Sequence, residues 1–333
     1  MEKIAKVVLI VVYFGKLPNY FSVWLKSASA NSDYDFIIFT DIEDTFEHGP
    51  NIKFEKITFQ EIKEKIQIIM DFQIVLDNPY KLCDYKPVYG EIFKEYIKKY
   101  DFWGFCDVDL IFGNLSHFIQ KDMLKRVDKL YDLGHFTLLK NSNKCNSLWK
   151  YRHTLNAGRF DEVFKTSYVC HFDEEYGLTR ISNSIGIRSY KQTDFADINY
   201  KKFNFEMIGK KNRGKKQIFY WSNGNLFCLT LLDEGIIKSE EVMYIHLQKR
   251  KMICNYNGLI NDQFIIEPNR FIFGNTDEIN NILKKQKIKR IYFTYFYRRF
   301  FELKTNIFQG AIKQKIYRTF FRKISRKIKD RKE

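Results

Sequence analysis

Residues 101–113 read DFWGFCDVDLIFG. An uncharged, apolar run from Phe102 to Cys106 is followed by Asp107 and Asp109, and apolar residues resume at Leu110. A short run of this kind predicts a strand buried on both faces, over Asp101–Cys106. Extended backbone has a period of two, so the carboxylates of Asp107 and Asp109 are expected on one side, at the strand's carboxyl end. Two hard oxygen donors there can hold Mg or Mn and leave positions for water and phosphate oxygens. An isolated Asp-x-Asp is usually no more than an ordinary polar turn after a strand. The apolar strand before it and the Leu-Ile-Phe-Gly after it bring the functional reading level with that one.

Working outward, Lys6–Phe14 (KVVLIVVYF) is a second apolar, β-branched run and predicts a strand punctuated by Gly15 and Pro18. Tyr20–Ala28 places Phe21, Trp24, Leu25 and Ala28 at helical spacing. Tyr34–Thr40 and Asn51–Ile57 read as strands, Gln60–Met70 as a helix, and Pro87–Tyr100 as a helix with Pro in its first turn. Strands alternating with helices predict a single α/β domain around a mostly parallel sheet. Ligands of such sheets bind beyond the strands' carboxyl ends, which directs attention to Gly15–Asn19, Asp41 and Asp107–Asp109. Further along, Phe136–Leu139 and Val242–Leu247 look like strands, and no internal repeat is visible.

Three other segments carry candidate chemistry. In Pro79–Pro87 (PYKLCDYKP), Lys81, Asp84 and Lys86 set charges of both signs at a helix entry, where a phosphate is well received. Asp84 is equally a simple helix cap. In Tyr244–Lys251 (YIHLQKRKM continues to Met252), His246 can ligate a metal or meet a phosphate, or serve only as a structural histidine. Lys249 to Lys251 can offset diphosphate charge. In His171–Gly177 (HFDEEYG), one of Asp173, Glu174 and Glu175 can act as a general base on an acceptor hydroxyl, unless the segment is a solvated loop. The motifs of serine hydrolases, P-loop enzymes and dinucleotide-binding dehydrogenases are absent, which counts against those classes.

Taken in order, YFGKLPNYF, PYKLCDYKPVYGEIF, DFWGFCDVDLIFGNL and YIHLQKRKM resemble a bacterial family of glycosyltransferases associated with capsule, exopolysaccharide and lipopolysaccharide synthesis. The resemblance covers roughly residues 5–270. It implies a GT-A-like fold that binds a divalent metal, Mn or Mg, and a nucleotide-sugar diphosphate. By that resemblance Asp107, Asp109 and His246 form the metal or diphosphate site. By the same resemblance Asp84 helps place the sugar donor and Asp41 lies near the nucleoside; Tyr13, Gly15, Lys81, Lys86 and Lys249, read from their positions and charges, complete the candidate donor-binding set. Phe172-Asp173-Glu174 lines the acceptor side, with the choice among Asp173, Glu174 and Glu175 left open.

Charge divides the chain. Its 333 residues carry 56 Lys and Arg against 40 Asp and Glu, a net of +16. Residues 284–333 hold 18 basic and 3 acidic residues, leaving a nearly neutral body. That argues against nucleic-acid binding by the body and for a tail that meets an anionic surface. Within the tail, Ile316, Tyr317, Phe320, Phe321, Ile324 and Ile328 fall on one helical face, with basic residues around the rest, as in an interfacial helix. The expected division is a transferase domain at 1–285 and a basic aromatic tail at 286–333.

Six scattered cysteines without a C-x-x-C pair suggest a reducing compartment. The apolar run near the amino terminus is too short for a signal peptide, and no run is long enough to span a membrane. The resulting expectation is a glycosyltransferase at the inner face of the cytoplasmic membrane, acting on a glycan or lipid-linked glycan acceptor, with no nucleic-acid partner. The alternatives are a non-catalytic membrane- or nucleic-acid-binding protein, and a nucleotidyltransferase on a related sheet.

Overall fold

Val7–Val12 forms the first strand, β1, and its side chains divide by parity. Val8 and Ile10 enter one apolar core, while Val7, Leu9 and Val11 enter another on the opposite face. Successive side chains of a strand point to opposite faces, so a strand apolar throughout is one covered on both. The same division holds in β2 (Tyr34–Thr40), where Ile37 and Phe39 oppose Phe36 and Ile38. The structure is a computed structural model that describes residues 5–152, 157–198, 204–209, 215–255, 262–274 and 277–286.

Helix α1 (Phe21–Ser29) connects these two strands. There follow β3 (Ile52–Lys56), α2 (Phe59–Ile68), β4 (Phe102–Cys106), β5 (Leu110–Phe112), β6 (Lys129–Leu133), β7 (Phe136–Lys140) and β8 (Ser189–Tyr190). The central sheet has seven strands in the order β3-β2-β1-β4-β7-β6-β8. Its pairs β1/β2, β2/β3, β1/β4 and β6/β8 are parallel, and β7 runs antiparallel to both its neighbours. The fold is therefore mixed α/β with a mostly parallel central sheet. Helix α1 covers one face with Phe21, Trp24, Leu25 and Ala28. Helix α2 covers the other with Ile62 and Ile66, and it starts on a reciprocal Thr58/Glu61 capping box.

The second half of the described chain builds two smaller sheets. Its strands are β9 (Ala196–Ile198), β10 (Phe205–Met207), β11 (Lys216–Ser222), β12 (Asn225–Leu231), β13 (Ile237–Glu241), β14 (Tyr244–His246), β15 (Gln263–Glu267) and β16 (Arg270–Phe273). One sheet has the order β10-β9-β14-β5, and the other is the antiparallel β13-β12-β11-β15-β16. The pairing of β14 with β5 sets His246 opposite Leu110, beside Asp109. The helix Ile279–Lys285 lays Ile279 and Leu283 against Ile218, Leu229 and Ile265 of the five-stranded sheet.

Two local expectations change. No continuous helix spans Pro87–Tyr100. A 3-10 segment, Pro79–Val88, is followed by single helical turns at Tyr89–Ile92 and Lys94–Ile97. Asn78 caps that segment by accepting from the Lys81 N–H, and Pro79 rather than Pro87 occupies its first turn. The Asp107–Asp109 stretch is a turn between β4 and β5, which belong to different sheets, so parity does not govern its side chains. No helix among the described residues is long and apolar enough to cross a membrane. The tail expected at 286–333 lies, beyond its first residue, outside the described residues.

Candidate active site

The carboxyl ends of β1 and β4 open into a cleft of about 780 Å³, a size suited to a small-molecule ligand. The first loop contributes Tyr13, Lys16 and Tyr20 to its walls, and the turn after β4 contributes Asp107 and Asp109. His135, Asp173, His246 and Lys249 arrive from later elements.

The turn is pinned from both sides. The Trp24 Nε1–H donates to the Asp107 carbonyl at 3.1 Å, and the Asp107 N–H donates to the His135 carbonyl at 3.0 Å. The turn is what brings the carboxylates together: ligand atoms of Asp107, Asp109 and His246 all lie within 4.8 Å of one another. Asp109 is 3% exposed. Its Oδ2 accepts the Lys249 backbone N–H at 2.7 Å and lies 3.6 Å from His246 Nε2. Its Oδ1 is buried and has no hydrogen-bond partner among the described residues. Burial works to raise the Asp109 carboxyl, but His246 and Lys249 outweigh it and hold it below its ordinary value. Burial likewise opposes a charge on His246, yet Asp109 and Asp197 lift its pKa to about 10. His135 stacks on the His246 ring, with centroids 4.2 Å apart. Desolvation first, then the charges of His246 and Lys86, keep His135 far below its ordinary value and therefore neutral.

Lys86 joins this group to a third carboxylate. Its Nζ lies 2.6 Å from Asp107 Oδ1, 2.7 Å from the Gly134 carbonyl and 3.2 Å from Asp173 Oδ2. Burial opposes the Lys86 charge, but Asp107 and Asp173 more than offset it and raise its pKa. A Cβ at Gly134 would run into the Asp173 carboxylate, so glycine is what lets that acid approach. Asp173 is 2% exposed, and its Oδ1 is a second buried carboxylate oxygen without a partner among the described residues. Desolvation pushes its pKa up to about 7, against the pull of Lys86 and with support from Glu174 and Asp107.

The remaining candidates separate. Glu174 reaches the cleft and pairs with His171 at 3.6 Å, which holds its carboxyl down. Glu175 is largely exposed, pairs with Arg180 at 3.2 Å and lies off the cleft wall. Lys81 and Asp84 do not line the cleft; both are fully buried and pair with each other at 2.7 Å. Asp84 also accepts the N–H groups of Cys170 and Phe172 at 2.9 and 2.8 Å, and Lys81 donates to the carbonyls of Val163 and Tyr168. Neither residue lines the cleft, although Asp84 lies within 4.8 Å of ligand atoms of the cleft residues Cys83 and Asp173, and Asp84 binds distant backbone rather than capping a helix. The pair anchors the backbone that delivers His171, Asp173 and Glu174. Asp41 is exposed at the end of β2 and away from the cleft wall. Gly15 is not on the wall either, although its φ of +93° sets the course of the loop that carries Tyr13 and Lys16. Lys249 is at the mouth, its ammonium over the Tyr80 ring.

Two residues that shape the site were not anticipated. Asp197 on β9 lies 3.2 Å from His246 Nδ1, and His135 backs the same ring. The one sequence signal for Asp197 is a charge between Ala196 and Ile198 in an otherwise apolar strand.

Residues 9–275 match a family of unknown function (DUF6625). No curated protein matches the chain in sequence. Among solved structures it is similar to the galactosyltransferase LgtC in complex with donor and acceptor sugar analogs. That likeness is 11% identity over 57% of this chain and 75% of that one, with a TM-score of 0.33. It is also similar to the apo form of mouse xyloside xylosyltransferase 1, at 8% identity over 59% of this chain and 88% of that one, with a TM-score of 0.32. At these scores the functional reading stands on the cleft's own residues.

Proposed function

The chain belongs to the DUF6625 family, to which no activity is attached, and we propose that it is a metal-dependent glycosyltransferase of GT-A type. The observation that carries this reading is the convergence of Asp107, Asp109 and His246 at the carboxyl ends of parallel strands, with one Asp109 oxygen buried and unpartnered. Two carboxylates and an imidazole make a donor set that Mn or Mg accepts, and the orphan oxygen is what a cation would satisfy. A divalent cation bound there would neutralise the diphosphate leaving group of a nucleotide sugar.

The chain's own residues supply the rest. Lys249 and its basic neighbours at the cleft mouth attract the donor's phosphates. The unpartnered Asp173 oxygen accepts a hydroxyl of a sugar, while Lys86 holds the other oxygen and fixes the carboxylate's direction. Among Asp173, Glu174 and Glu175, this makes Asp173 the acid that meets substrate, with Glu174 tied to His171 and Glu175 out of reach. The acceptor is read as a glycan, and the basic aromatic pattern of residues 286–333 suits a lipid-linked one at the inner face of a cytoplasmic membrane in surface-polysaccharide synthesis.

The test is a thermal-shift screen of nucleotide sugars, with and without Mn, on the wild type and on Asp107→Asn/Asp109→Asn. A ligand at 100 times its Kd adds about 2.7 kcal/mol to the folded state. The expected result is a rise in melting temperature with one donor that requires Mn and disappears in the double variant. A folded wild type unmoved by every donor and metal combination would sink the reading.

A further inference from the structure

We infer that Asp197 is the positioning residue of the cation site: it holds His246 with Nε2 turned to Asp109, and it holds the turn that brings the Lys249 amide to the same carboxylate. The inference rests on the cation reading above and extends it to a residue outside the ligand set.

The sheet puts the two side by side. Strands β9 and β14 pair in parallel through Ala196 and Ile245, so Asp197 and His246 are the next residues on neighbouring strands. Asp197 Oδ2 lies 3.2 Å from His246 Nδ1, and Oδ1 accepts from Gln248 Nε2 at 2.7 Å. An ionised carboxylate only accepts, so Nδ1 is the donor in that contact. A neutral His246 ring then carries its lone pair on Nε2, the nitrogen that faces Asp109. His135 closes the ring's other face, and the Tyr244 hydroxyl at 3.0 Å fixes His135 in turn. The imidazole is thus held both in tautomer and in orientation.

The second hold is on the backbone. Gln248 and Lys249 have φ of +49° and +56°, the left-handed region that residues with a Cβ seldom enter, and here two enter it in succession. Their turn is what aims the Lys249 N–H at Asp109 Oδ2. The bond from Gln248 to Asp197 ties this turn to β9. One carboxylate therefore organises both contacts that the Asp109 side chain receives from the segment 246–249; the Leu247 N–H meets the Asp109 backbone carbonyl instead. Outer-sphere partners of this kind commonly change metal affinity by about 10–100-fold when removed.

The experiment titrates Mn²⁺ into the full chain and reads free Mn²⁺ by electron paramagnetic resonance. It compares wild type, Asp109→Asn, Asp197→Ala and Gln248→Ala, with melting temperatures recorded without metal. Asp197→Ala should bind Mn²⁺ about 10–100-fold more weakly than wild type. Gln248→Ala, which removes the second hold alone, should show a smaller loss and keeps the test open if Asp197→Ala does not fold. Nitrogen-15 chemical shifts of His246 in the Mg²⁺-loaded wild type should report a proton on Nδ1, a signature that a merely structural Asp197 would not require. Wild-type affinity in both folded variants, or a proton on Nε2, overturns the inference while leaving the cation site in place. Equal binding by wild type and Asp109→Asn would instead overturn the cation reading, and this inference with it.

Discussion

The 3-10 segment Pro79–Val88 carries two buried lysines, and they sit in opposite circumstances. Lys81 pairs with Asp84, and among the described residues the other side-chain hydrogen bonds of the pair run to backbone of residues 163–172. Lys86 lies between Asp107 and Asp173, and there one carboxylate oxygen of Asp173, at the wall of a cleft, has no partner among the described residues. Charge and burial are alike in the two. Saturation separates them: a buried pair whose valences are all met holds the fold, and one with a valence left over faces a ligand.

The largest expected effect breaks the saturated pair. Asp84→Ala leaves Lys81 as an uncompensated buried charge and strips the Cys170 and Phe172 N–H groups of their acceptor. Removing one partner of a buried pair costs about 3–5 kcal/mol. Urea denaturation should therefore show a fall in stability of that order. A loss below about 1 kcal/mol would mean that the pair is not saturated as described.

A smaller effect sharpens the other side. The pKa of Asp173 is pushed up to about 7 from an ordinary 3.8. Because the folded value lies above the unfolded one, the folded state binds the proton more tightly. Its contribution to stability is full below the unfolded value and is lost as pH rises through the folded one. Asp173→Asn has no such proton to lose. Its stability relative to wild type should increase with pH across that window, by roughly a few kcal/mol. Urea midpoints measured in a pH series test this, and a difference that stays flat with pH would place Asp173 with the saturated acids.

The contrast between the two lysines was not legible in the sequence, and the reason is distance along the chain. Val7–Val12 announced β1 because both faces of that strand are covered, and the central sheet follows from such runs. Asp107, Asp109 and His246 stood out because a charge at the end of an apolar run is locally conspicuous. Lys81 and Lys86, by contrast, look alike until the partners at 163–173 fold against them. Strands β9 and β14 are three residues each, too short for a period to declare itself, so Asp197 could not be linked to His246 across 49 positions. The helical segment starts before Pro87 for a local reason: Asn78-Pro79 carries the same start signal earlier, with the capping side chain that Pro87 lacks.

The smallest expected effect concerns Glu175, which shares the acidic run with Asp173 and differs from it in every physical respect. It is largely exposed, it pairs with Arg180 at the surface, and it lies off the cleft wall. Exposed pairs of this kind contribute about 0–1 kcal/mol. Glu175→Gln should leave the urea midpoint nearly unchanged and preserve any Mn-dependent shift produced by a nucleotide sugar. Asp173→Asn, two residues away, should weaken that shift because it alters the unpartnered oxygen that meets a hydroxyl. If Glu175→Gln instead abolished the donor response while Asp173→Asn spared it, the acidic run would have to turn over on binding. The Asp84 anchor on Cys170 and Phe172 would then be a hinge, and its saturation could no longer be read as a sign of a purely structural role.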